Sequence, residues 1–213
     1  MQLCVWLLKQ KIKPMSDPVP HPFNEQLFED YLNQHEKSVQ HFRKHALPVI
    51  KSALNLILDC FGQKGKIILA GNGGSAADCQ HITGELLGRY KKNRVPLPAI
   101  SLTTDTSVIT CIANDFEFES VFSRPLKALG QKQDVLWLFS TSGTSPNIIK
   151  AAETASKMGM KILSFTGKPH SDLETMSDVC LCANTHDTGH AQEIHQLAYH
   201  IICSYIDQYF TED

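Results

Sequence analysis

A histidine and a glutamate four residues apart, His81 and Glu85, follow a glycine-rich stretch, Gly71-Asn72-Gly73-Gly74-Ser75, that itself follows the apolar run Ile67-Ile68-Leu69-Ala70. On a helix that spacing sets the imidazole and the carboxylate on one face, as an acid/base pair or as two metal ligands. Ile82, Leu86 and Leu87 surround Glu85 with apolar neighbours. A partly buried carboxylate with a raised pKa, the usual way to make a general base, is one expectation; a solvated helix glutamate is the bland one. The loop before the helix offers backbone N–H groups and a helix N-terminus to an anion.

A second run, Asp134-Val135-Leu136-Trp137-Leu138-Phe139, leads into Ser140-Thr141-Ser142-Gly143-Thr144-Ser145-Pro146-Asn147. Ser145 before Pro146 is N-cap and first-turn chemistry, so a cluster of hydroxyls falls at the positive end of a helix. Alone, this is also the pattern of an ordinary strand-to-helix turn. Two hydroxyl- or glycine-rich loops at the ends of two strands point instead to capture of a phosphate. G-x-x-x-x-G-K-[ST] is absent, and Gly71-Asn72-Gly73-Gly74 lacks the third glycine of G-x-G-x-x-G, so a nucleotide triphosphatase and a dinucleotide fold are disfavoured. A small phosphosugar fits neutral hydroxyls and amides.

The last helical stretch, roughly His190 to Phe210, carries Gln192, His195 and His200 among Ile194, Leu197, Ala198, Ile201, Ile202, Tyr205 and Ile206. Gln192 and His200 lie about 80° apart around the axis and share a broad face across two turns. Together with His81 and Glu85 they form a set of two imidazoles, a carboxylate and an amide oxygen that suits a zinc-like divalent ion. His195 lies on the other side of Gln192 and reads as packing or interface.

The elements that must position these groups are legible from periodicity. Apolar runs at Ile67–Ala70, Ala99–Leu102, Val135–Phe139, Ile162–Phe165 and Val179–Ala183 alternate with helical stretches. Such a pattern gives an α/β fold with a doubly wound, five-stranded parallel sheet flanked by helices. Ligands then bind beyond the carboxyl ends of the strands. From Asn24 to Phe61 apolar residues recur at helical spacing, with Pro48 marking a break or kink between two helices of an N-terminal layer. Apolar residues on both faces of that layer imply packing against another subunit as well as its own core. Residues 1–23, with Pro14, Pro18, Pro20 and Pro22, read as a flexible extension, and 24–213 as a single domain. Leu3-Cys4-Val5-Trp6-Leu7-Leu8 is too short to span a membrane, and Met15 is an alternative start.

The 213 residues bear 20 basic and 22 acidic side chains with no basic run, which gives no footprint for nucleic acid or a membrane surface. Seven scattered cysteines without Cys-x-x-Cys fit a reduced, cytoplasmic setting and small core positions.

Taken together, the Gly-Asn-Gly-Gly-Ser loop, His81-x-x-x-Glu85 with Leu86-x-Gly88-Arg89-Tyr90, Asn114-Asp115-Phe116, Ser140-Thr141-Ser142-Gly143-x-Ser145, and Gln192-Glu193-Ile194-His195 with His200 resemble the sedoheptulose-7-phosphate isomerases of the sugar isomerase (SIS) domain superfamily. The resemblance spans about Asn24 to Tyr209. It implies a homotetramer with active sites between subunits, acting on a phosphosugar in the first step toward activated heptose for lipopolysaccharide or other surface glycans. It assigns Ser140, Thr141, Ser142 and Ser145 to the phosphate. Asn72, Gly73, Gly74, Ser75, Asn114 and Asp115 go to the sugar, with Gln192 completing the site. Glu85 and His200 become the acid/base pair, and His81, Glu85, Gln192 and His200 the zinc ligands in members that bind metal.

Two departures stand out. An acidic residue expected shortly before Gln192 is replaced by Thr188-Gly189-His190-Ala191, with Asp187 displaced, and residues 101–105 are one longer than the pattern. The second departure looks more like the DnaA initiator-associating scaffolds, which share the fold without the enzymatic pair; Glu85 and His200 favour the enzyme over them. A third reading is an isomerase of another phosphosugar.

Overall fold

The computed structural model describes residues 23–211, so the readings of the N-terminal extension and of Met15 lie, apart from Phe23, outside the described residues. The chain divides into two compact units between Asn33 and Gln34. In the first unit Phe23, Leu27, Phe28, Tyr31 and Leu32 are exposed.

Five parallel strands, β1 (Ile67–Gly71), β2 (Ala99–Ser101), β3 (Val135–Ser140), β4 (Lys161–Thr166) and β5 (Val179–Cys182), pair in the order β2-β1-β3-β4-β5. All five expected runs form strands. β1 and β3 are buried along their whole length because side chains on both faces meet helices. Period-two alternation sorts them: Ile67, Leu69, Trp137 and Phe139 enter one core, and Ile68, Ala70, Leu136 and Leu138 the other. The first core is closed by α1 (Glu25–Gly62), α2 (Gly74–Leu87) and α7 (Thr188–Phe210); the second by α3 (Thr106–Asp115), α4 (Ser123–Leu129), α5 (Pro146–Lys157) and α6 (Asp172–Thr175). The rings of Trp137, Phe139 and Phe165 pack with centroids within 5.5 Å of one another beside α7, Trp137 stacked on Phe139 and edge-on to Phe165. Truncating one of these rings removes on the order of 3–5 kcal/mol.

The N-terminal layer differs from expectation. α1 runs through Pro48 as one helix, with no break there. A proline inside a helix costs about 3 kcal/mol. Burial of Ile50, Ala53, Ile57 and Cys60 against the sheet just beyond it offsets that cost, and Ser52 Oγ donates to the Pro48 carbonyl. The cysteines also split. Cys60, Cys79 and Cys203 are core residues whose thiols burial pushes up, Cys60 to about 11 and Cys203 to about 12. Cys111, expected in the core, is exposed beside the Asp115 carboxylate.

The strand order reverses between β1 and β3, since the chain leaves β1 toward β2 on one side and returns to β3 on the other. A crevice opens at such a switch point, at the carboxyl ends of the two strands. Both phosphate-loop candidates end there.

Candidate active site

At that crevice a cavity of about 260 Å³ is lined by Asn72, Gly73, Gly74, Ser75, Phe139, Ser140, Thr141, Ser145, Thr188 and Gln192. Two helices begin at it with no capping side chain, α2 after Gly73 and α5 after Ser145. Ser75, Ala76, Ile148 and Ile149 donate back to the carbonyls of Asn72, Gly73 and Ser145, and Pro146 has no N–H, so the helix dipoles and the amides of Gly74 and Asn147 give the cavity its positive potential, with no lysine or arginine among its lining residues. Ser145 sits at the N-cap position as expected, yet its hydroxyl faces Ser140 Oγ at 3.3 Å and Ser142 Oγ at 3.5 Å instead of capping the helix. Ser140 and Ser142 accept the backbone N–H groups of Gly143 and Thr144. The three hydroxyls otherwise bond only to one another, at 3.3–3.5 Å, and an anion would draw their protons away from these long contacts. Gly143 makes this turn at φ +67, where a Cβ would strike Ser171.

Two partners in this pocket escape sequence inspection. Asn72 and Asn147 exchange side-chain amide hydrogen bonds of 2.9 Å in both directions, which fixes the glycine loop to the start of α5. The Gln192 amide lies over Gly74, so close that a Cβ there would stand 2.5 Å from Nε2. Asp187, the displaced acid, caps α7 by accepting the His190 N–H, so it serves the helix.

Further along α2 and α7 lies a second group. His81 Nε2 is 3.0 Å from Glu85 Oε1, the His81 and His200 rings are 5.1 Å apart, and donor atoms of all three fall within 4.8 Å of one another. Glu85 is partly buried, with 17% of its side chain exposed. Burial chiefly, then His81, lowers the His200 pKa, and stacking on Tyr90 at 5.2 Å holds its ring. Behind them, the Tyr199 hydroxyl lies 2.9 Å from His81 Nδ1 and donates to Asp78 Oδ1 at 3.4 Å. Burial raises Asp78 to about 6 and raises Tyr199 as well, which keeps the phenol protonated. The chain Asp78–Tyr199–His81 orients the imidazole toward Glu85.

Backbone position is fixed from the other side. Arg94 donates to the carbonyls of Glu85 and Leu86 at the end of α2 and pairs with Asp207 of α7 at 3.0 Å. Burial would raise the Asp207 pKa, but the amides of Lys92 and Lys91 and the Arg94 guanidinium hold it below the usual carboxylate range.

The remaining expected residues fall elsewhere. Asn114 and Asp115 end α3, exposed and outside the lining of the cavity, with Asn114 donating to Asp115. Gln192 and His200 are about 12 Å apart along α7. Accordingly Gln192 meets Gly74 while His200 meets His81. His195 is packing, as expected: it is fully buried between Phe139 and Phe165, beside the Thr166 carbonyl, and burial pushes its pKa down to about 4. The three donors His81, Glu85 and His200 suit a borderline divalent ion that prefers nitrogen and carboxylate oxygen.

Residues 30–167 match the SIS domain family. The phosphoheptose isomerase of Helicobacter pylori (strain P12) is 44% identical over 177 residues, covering 83% of this chain and 92% of its own. Phosphoheptose isomerase 1 of Campylobacter jejuni is 43% identical over 188 residues, covering 86% and 98%. Among solved structures, phosphoheptose isomerase from Neisseria gonorrhoeae superposes with a TM-score of 0.81 at 36% identity, covering 86% of this chain and 98% of that one. The one from Francisella tularensis gives 0.83 at 33% identity, covering 86% and 97%.

Proposed function

The chain belongs to the phosphoheptose isomerases of the SIS domain family, and on that premise we propose that it converts sedoheptulose 7-phosphate to the corresponding aldoheptose 7-phosphate through an enediol. The observation that carries this reading is the pairing, on the same two helices, of an anion pocket with a carboxylate–imidazole group. The hydroxyls of Ser140, Thr141, Ser142 and Ser145, with the dipoles of α2 and α5 and the amides of Gly74 and Asn147, take the phosphate. Asn72 to Ser75, with Gln192, take the sugar hydroxyls nearest it.

At the other end Glu85 removes the proton from C1 and returns it to C2. His200, kept neutral by burial, moves the hydroxyl proton from O1 to O2, so the isomerisation balances without an outside oxidant. A scaffold would have no use for this pair, and relatives named phosphoheptose isomerase further disfavour that reading. The chain's His81, Glu85 and His200, joined by Gln192, would hold a zinc ion. Such an ion polarises the substrate carbonyl when bound. A ligated Glu85 is a weaker base, so the two roles compete for one carboxylate.

Distance supports a site shared between subunits. Gly74 and Glu85 are about 16 Å apart along α2. An extended seven-carbon phosphate spans only about 10 Å from phosphorus to C1, at roughly 1.2 Å per bond. The phosphate pocket of one subunit therefore pairs with Glu85 and His200 of another, in a homotetramer of the kind the resemblance implies, in a reducing cytoplasm that suits the free thiols.

Incubation of the purified protein with sedoheptulose 7-phosphate should yield aldose; no turnover refutes the function. Mixing the impaired variants Glu85→Gln and Ser140→Ala/Ser145→Ala by subunit exchange should raise activity at low substrate concentration above that of either variant alone. No recovery after verified exchange places each site within one subunit.

A further inference from the structure

The departure at residues 188–191 brings in groups that the isomerase reading leaves unused. Asp187 caps α7 at the His190 amide, which sets His190 and Glu193 on one face of its first turns, where they meet His35 of α1. One carboxylate oxygen, Glu193 Oε2, lies 2.6 Å from His35 Nδ1 and 3.0 Å from His190 Nδ1. The three donor atoms all fall within 4.8 Å of one another. His190 is buried, with 1% of its side chain exposed, while His35 and Glu193 keep 39% and 34%. The group therefore has a fixed floor and an open side through which an ion and its water could enter.

We propose that His35, His190 and Glu193 form a second divalent transition-metal site, separate from His81, Glu85 and His200. Two imidazole nitrogens and one carboxylate oxygen suit zinc, cobalt or nickel. They do not suit magnesium or calcium, which take oxygen ligands. In the metal-free form both rings can point an Nδ1–H at the carboxylate; an entering ion takes the Nδ1 lone pairs once those protons have left. The ion would tie α1 to the start of α7, the turn whose Thr188 and Gln192 line the anion pocket. Its effect is on the stability of that junction, with no part in proton transfer.

Cobalt(II) serves as the probe, since its absorption reports nitrogen ligation. To keep the two candidate sites apart, the titration is run on full-length protein carrying His81→Ala and His200→Ala. One equivalent per chain should still load and raise Tm by several degrees. Adding His35→Gln, or in a separate protein Glu193→Gln, should abolish both the equivalent and the Tm shift, with circular dichroism checking that each metal-free variant is folded. Absence of bound cobalt in the His81→Ala/His200→Ala protein overturns the proposal, and so does an equivalent that persists in both added variants. Loss of aldose formation by wild type would refute the isomerase reading and leave this site standing.

Discussion

The cavity at the ends of β1 and β3 is made of backbone amides and neutral hydroxyls, whereas the group farther along α2 and α7 is made of ionisable side chains brought together by helix packing. The first owes its geometry to loops joining a strand to a helix, within Gly71–Ser75 and Ser140–Ser145. The second needs two helices far apart in sequence, held by the Arg94–Asp207 pair and by Tyr199 between Asp78 and His81. The difference predicts a division of labour: the loops hold substrate, and the helices move protons.

The strongest break would come at Glu85. Glu85→Gln keeps the shape and removes the base, so kcat should fall by about 10²–10⁴-fold, the usual worth of a general base. Binding of a non-isomerising sugar phosphate, measured calorimetrically, should stay within about threefold of wild type. Weakening of that binding in parallel with kcat would abolish the division of labour.

Two histidines of α7 sharpen the same contrast. His200 stands at the ionisable group, while His195, fewer than two turns away, is sealed in the aromatic core with a pKa near 4. Because its folded value lies below the unfolded one of about 6.5, the unfolded chain takes up the proton first as pH falls. Stability present above about pH 6.5 is then lost progressively toward pH 4, by about 3 kcal/mol. Urea unfolding of wild type and His195→Gln across pH 4–7 checks this. The variant, less stable at neutral pH, should show the shallower acid loss; equal slopes would remove His195 as the cause.

Legibility follows the same line. The five strands, the switch-point loops and the serine cluster could be read from the chain because each depends on neighbours within a few residues: continuous apolar runs, glycine where the turn requires it, and proline after Ser145. His81 with Glu85 was readable for the same reason, being one helical turn. What could not be read depends on long-range packing. Asn147 against Asn72, Tyr199 under His81, Asp207 on Arg94 and His35 beside Glu193 join residues far apart in sequence, and no local pattern encodes which helix faces will meet. Continuity through Pro48 belongs to the same class, because the packing that tolerates the proline lies on the sheet.

A smaller test separates the hydroxyls from an ordinary turn. Ser145→Ala removes a donor that caps nothing in the protein alone, so Tm should change little. If it donates to phosphate, the loss of one hydrogen bond to a charged group should weaken binding by about tenfold or more, with kcat at saturation preserved. A large drop in Tm with unchanged affinity would return Ser145 to a structural role.

Gly74→Ala should have the smallest effect and the most informative one. The added methyl would meet the Gln192 amide at 2.5 Å, and that amide is the far end of a flexible side chain able to swing aside. The helix at Gly74 accepts alanine, so stability should stay within about 1 kcal/mol or rise slightly. Displacing Gln192 costs the sugar one neutral hydrogen bond, about 0.5–1.5 kcal/mol, so KM should rise about two- to tenfold. Since Gln192 lines the pocket and stands about 12 Å along α7 from His200, the proposed zinc would take it only from another subunit, and zinc affinity supplies the deciding reading. A rise in KM with zinc affinity unchanged confines Gln192 to substrate. A matching fall in zinc affinity means that one residue serves both the loop-built and the helix-built halves of the site.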